Sequence, residues 1–223
     1  MKQILILAAL ITAIFLLWQY PLLYPLKLLV VFFHESSHAL MTVSTGGSVQ
    51  SFVIDQMQGG YVISAGGNRF LTLTAGYLGS LMWGVVIYLV AVRTDLDKAM
   101  MVILGVAVLA IAASFITEPF PLAFAGGVGI ALIVSGWKLG TDINDLILRV
   151  IGMTNLIYVP YDIYSDTIAR SHLRSDAFML AEEFGGAGWL WGGFWLVISL
   201  ILVATTVVLG LAPRQEPQPP DDT

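Results

Sequence analysis

Residues 22–43 read LLYPLKLLVVFFHESSHALMTV. As a helix rising 1.5 Å per residue this run is about 33 Å long, enough to cross a hydrocarbon core of about 30 Å. Its C-terminal half nevertheless carries His34, Glu35 and His38. Ionisable groups at membrane depth are costly and are kept there for function. The rest of the chain supports a membrane setting: of 223 residues, 57% are hydrophobic and 11% charged, against roughly 25% charged in an ordinary soluble domain. With a mean hydropathy of +0.85, the chain reads as an integral membrane protein. Ten Lys and Arg against fifteen Asp and Glu give a net charge of -5. With no basic block, neither nucleic acid nor an anionic lipid surface is an expected partner. There is no cysteine, so disulfides, thiolate nucleophiles and Cys-based metal sites are impossible, and any metal must be held by His, Asp or Glu.

Six further apolar segments flank this one. Residues 3–19 precede it, ending at Tyr20-Pro21 without a small-residue cleavage site, and read as a retained anchor. Residues 69–92 contain TLTAGYLGS, in which Gly76 and Gly79 thin one face for close helix approach. Residues 99–117 and 121–137 are separated by Glu118-Pro119-Phe120-Pro121, and residues 143–168 are unusually polar. Residues 187–211 begin with Trp189, Trp191 and Trp195, as interfacial anchors do. The expected fold is an all-α polytopic membrane protein of six or seven transmembrane helices. It is read as one domain over residues 1–211 with a disordered polar tail, APRQEPQPPDDT, at 212–223. Residues 46–67, GGSVQSFVIDQMQGGYVISAGG, are too short and too β-branched to span; they predict a β-hairpin around Gln58-Gly59-Gly60. The Lys and Arg residues are spread over both sides and do not fix an orientation.

Residues 34–38 spell His-Glu-Ser-Ser-His in a chain with three histidines. A chance H-E-x-x-H in such a sequence is roughly a one-in-a-thousand event, which makes the motif informative. Four helical residues turn about 400°, so the imidazoles stand one above the other, about 40° apart, and can share one Zn²⁺. Glu35, about 100° round from His34, is placed to touch a metal-held water as general base rather than to ligate. The chemistry this predicts is peptide-bond hydrolysis. The bland alternative is a polar network that packs helices or lines an ion path.

A catalytic zinc needs a third protein ligand. His172, the remaining histidine, lies in the polar stretch IARSHLRSD and reads as a surface residue. Asp162 and Asp166, one turn apart just after Pro160, are better placed; Pro160 is expected to interrupt or start a helix. Asp145 and Arg149 read as a mutually neutralising i,i+4 pair, Glu118 as a solvated turn residue, and Asp176 as the N-cap of a short amphipathic helix, DAFMLAEEF.

The stretches FFHESSHALMTVSTGG, GGYVISAGG, TAGYLGSLMWG and YDIYSDTIARSHLRSDAFMLAEEFG, within residues 27–185, resemble the site-2 proteases, in particular their small branch without an inserted PDZ domain. The resemblance implies an intramembrane zinc metalloprotease, with one zinc per chain held by His34 and His38 and with Glu35 as the base. It also implies that a later segment carrying Asn, Pro and Asp-Gly supplies the third ligand. Here Asn155 and Pro160 are five residues apart and Asp162 precedes Ile163 rather than glycine. The third ligand is thus open between Asp162 and Asp166, with Asp162 ahead as the more deeply placed. The implied partners are a membrane-anchored protein or peptide substrate, held by the hairpin as an added strand, and the lipid bilayer, with a bacterial cytoplasmic membrane as the expected location. The competing function is a zinc-binding or ion-translocating membrane protein without hydrolysis.

Overall fold

The computed structural model describes residues 2–213. Of the expected tail, all but Ala212 and Pro213 lies outside the described residues. Every apolar segment is helical: α1 (Lys2–Leu17), α2 (Tyr24–Ser44), α3 (Arg69–Arg93), α4 (Asp97–Phe115), α5 (Pro119–Lys138), α6 (Thr141–Tyr164) and α8 (Gly188–Leu211). The amphipathic α7 (Asp176–Phe184) lies between the last two. Helices α3, α4, α5, α6 with its extension, and α8 are each long and apolar enough to cross a membrane. The first two segments, expected as separate spans, pass that test only together and meet at a 114° bend, which makes six spans if the pair counts as one. The bend falls at the Tyr20-Pro21 break, where a short 3₁₀ turn, Pro21–Leu23, links the helices. Trp18 holds the corner, its ring 5.1 Å from that of Tyr158 and under Lys27 Nζ at 4.7 Å.

Helices pack closely where glycine removes the side chain. A Cβ at Gly105 of α4 would meet Gly129 O of α5 at 2.6 Å, and one at Gly152 of α6 would meet Tyr88 Cβ of α3 at 2.8 Å. Small residues at such crossings let dispersion replace the hydrophobic drive that lipid does not provide.

The expected hairpin is present. Strands β1 (Ser48–Ile54) and β2 (Gly60–Ala65) pair antiparallel from Ser48↔Ala65 to Ile54↔Gly60, with a bulge between Val49 and Ser51. The turn is made by Asp55, whose Oδ1 accepts from the N–H groups of Met57 (2.7 Å) and Gly59 (2.9 Å), with Gln58 at φ +68°. The hairpin lies along α2 for most of its length: Gly47 N donates to Thr42 O at one end, and Tyr24 OH donates to Gln56 O at the other. Phe52 and Ile54 are buried in the same core cluster as Phe32 and Phe33 of α2. Non-helical backbone at membrane depth is tolerated only where it is buried in protein or lines a wet cavity. In β1 the end carrying Phe52 and Ile54 is buried, and β2 faces the cavity described below.

Two local expectations are corrected. Pro160 neither interrupts nor starts a helix but lies inside α6, which runs on through Tyr164 into a π-helical turn, Ser165–Ala169. Inside a helical bundle neighbouring helices accommodate such a proline. The N-cap of α7 is Ser175, whose hydroxyl accepts from Phe178 N at 3.3 Å, and not Asp176. A single cap suffices, so the Asp176 carboxylate is released to point elsewhere.

Candidate metal centre

The two histidines of α2 stand one turn apart, as the motif requires, with their Nε2 atoms 3.0 Å from each other. The third corner is Asp176, whose Oδ2 lies 3.1 Å from His34 Nε2 and 3.2 Å from His38 Nε2. All three side chains are largely buried. Ligands about 2.0–2.1 Å from a tetrahedral zinc lie about 3.3 Å from one another. A triangle with edges of 3.0 to 3.2 Å, made of two imidazole nitrogens and a carboxylate oxygen, therefore fits such an ion with its fourth position open. Among the described residues this is the one such cluster of His, Asp and Glu groups.

Neighbours orient these three side chains. His38 Nδ1 donates to the Thr72 carbonyl of α3 at 2.7 Å, which turns Nε2 toward His34 and Asp176. The Tyr77 ring meets His34 edge-on, with centroids 4.7 Å apart. Gly76 makes this approach possible, since a Cβ there would sit 2.6 Å from His34 Nε2. The gap left by Gly76 is thus filled by imidazole. At Gly79 it is filled by Ser37, 2.5 Å from where a Cβ would stand.

Burial alone would raise the Asp176 carboxyl, but the His38 and His34 imidazoles beside it outweigh that cost and hold it below the usual carboxylate range. A metal at the same place would favour the same ionised form.

Glu35 is 4% exposed, and among the described residues its Oε2 has no hydrogen-bond partner. A buried carboxylate oxygen with no donor is costly unless something outside the polypeptide satisfies it. Glu35 also lies directly under the start of β2: a Cβ at Gly60 would come within 2.6 Å of Oε1. Glu35, the ligand triangle and residues 60–63 of β2 open into one cavity of about 690 Å³. Asp162, Asp166, Arg170 and Arg174 line it as well.

Asp162, expected as the third ligand, is on this cavity wall; the carboxylate that joins the imidazole pair is that of Asp176. Asp166 is engaged otherwise, paired with Arg170 and accepting from Tyr77 OH at 3.2 Å. The remaining polar groups stand as the sequence predicts: Asp145 pairs with Arg149 at 2.6 Å, and both Glu118 and His172 are exposed. Sequence reasoning missed Asp176 because it was assigned to the cap. The available signal was Ser175 beside it, a second capping residue at a terminus that needs one.

No characterised protein and no solved structure matches the chain. A family model described as Peptidase M50B-like matches residues 7–206, a span that contains both histidines, Glu35 and Asp176. The chain thus belongs to the Peptidase M50B-like family, the branch of the site-2 proteases without a PDZ domain.

Proposed function

We propose that this membrane metallopeptidase family member hydrolyses peptide bonds of membrane-anchored proteins within or near the bilayer, with one zinc per chain on His34, His38 and Asp176 and with Glu35 as general base. A bacterial cytoplasmic membrane is the location that the family resemblance implies. One observation carries the reading: the buried, partnerless Oε2 of Glu35 beside a three-ligand triangle of the right size.

When bound, the zinc supplies Lewis acidity that makes water a nucleophile near neutral pH and polarises a carbonyl. The chain's own groups do the rest. Glu35 takes the proton of the attacking water and returns it to the leaving nitrogen. Thr72 O fixes the tautomer of His38. An extended substrate segment placed along β2 would satisfy that strand's outer backbone groups and cross above Glu35, where Gly60 leaves no side chain in the way. Water reaches the site through the cavity, whose Asp162, Asp166 and Arg170 wall is polar.

Glu35→Gln is the test. Purified protein carrying it should hold as much zinc as wild type but cleave a membrane-anchored reporter at least about a hundredfold more slowly, since a positioned base contributes 10² to 10⁴. Unchanged cleavage would assign Glu35 a structural role. Ion flux lost in the variant, with no cleavage by wild type, would favour translocation instead.

A further inference from the structure

As water adds to a peptide carbonyl, negative charge gathers on the carbonyl oxygen, and a fixed hydrogen-bond donor at that point accelerates the step. Glu35 cannot provide it, being the base. Several donors around the cavity are already committed. Arg69, Arg170 and Arg174 are ion-paired with Glu183, Asp166 and Glu182, and Ser80 Oγ donates to Tyr77 O at 3.0 Å.

Tyr77 differs from these. It lines the cavity, and its ring is clamped edge-on to His34 at 4.7 Å and against Trp195 at 5.6 Å. The side chain is 3% exposed, so the hydroxyl has few directions available. It donates to Asp166 Oδ2 at 3.2 Å, long for an O–H···O bond, whose usual length is about 2.7–2.8 Å. It also lies within the electrostatic reach of Asp176 and Asp162. A phenol hydroxyl is a donor at neutral pH, and a weakly held hydrogen bond beside the His34 ring can be redirected at small cost.

We propose that Tyr77 is a catalytic residue, its hydroxyl turning from Asp166 to the carbonyl oxygen of the scissile bond. This role rests on the protease reading of the site. As the water oxygen bonds to the carbonyl carbon, the C=O π pair moves onto oxygen, one water proton passes to Glu35, and Tyr77 donates to the new oxyanion while keeping its proton. The C–N bond then breaks, with its electron pair and the Glu35 proton going to nitrogen. The second water proton leaves with the new carboxyl group, and Tyr77 returns to Asp166.

Tyr77→Phe keeps the ring and its contacts with His34 and Trp195 while removing the donor. Steady-state cleavage of a fluorogenic peptide by the purified zinc-loaded protein should show kcat lowered about a hundredfold, with KM within about threefold and zinc content unchanged. Affinity for a phosphinic peptide, a tetrahedral anion that mimics the charged oxygen, should fall by a similar factor. Unchanged kcat and phosphinic affinity would overturn the proposal, as would a raised KM alone. Loss of zinc in Tyr77→Phe would overturn it too, making Tyr77 a positioning residue for His34. If wild type neither cleaves the peptide nor binds the phosphinic analogue, the protease reading fails and this role falls with it. Wild-type cleavage with an unaffected Tyr77→Phe variant overturns the role of Tyr77 alone.

Discussion

Three residues, His34, Glu35 and His38, form a pattern that a single helix can arrange unaided, because i,i+4 spacing alone puts both imidazoles on one face. That part of the centre is written in five consecutive letters. Asp176 is not, since its place depends on α7 folding back against α3 and α8, where Arg69 pairs with Glu183 at 3.0 Å and Phe70 meets Phe184 edge-on at 5.5 Å. Depth along the chain favoured Asp162; packing favours the residue that a neighbouring cap sets free. Asp176→Ala should therefore weaken zinc affinity by orders of magnitude, because it removes one of three protein ligands. Asp162→Ala should leave affinity within about tenfold, as expected for an outer-shell group. A chelator competition titration measures both, and the reverse order would return the third ligand to α6.

At the scale of elements, the hairpin was legible from its β-branched residues and glycine pairs, and its placement was not. Its core contact comes from Phe52, whose ring tilts against Phe32 of α2 with centroids 5.9 Å apart. It reaches Glu35 because position 60 has no Cβ. Pro160 shows the opposite lesson: proline is a reliable helix breaker in water, yet inside a helical bundle the chain continues through it and widens into the turn that presents Asp166 to Tyr77. If β2 holds substrate by main-chain pairing, a proline at Val62 or Ile63 removes a donor either from the ladder or from the outer edge. Cleavage of the membrane-anchored reporter should fall at least about tenfold, with zinc content retained. Equal loss of zinc and activity would mean that the hairpin merely supports the fold.

Across the whole molecule, hydropathy sufficed to mark the seven apolar helices, because a helix that crosses lipid must satisfy its own backbone there and so announces itself as an apolar run. The 114° corner between α1 and α2 is invisible at that level. At the corner Trp18 meets Tyr158, a contact with a distant part of the chain, and lies under Lys27. What this architecture positions is a buried His, His, Asp triangle at a polar-lined cavity, with the Glu35 carboxylate beside it. The most direct test is elemental analysis of the purified protein and of a His34→Ala/His38→Ala variant in the same detergent. About one zinc per chain is expected in the wild type and none in the double variant. Full zinc retained by the double variant would contradict this.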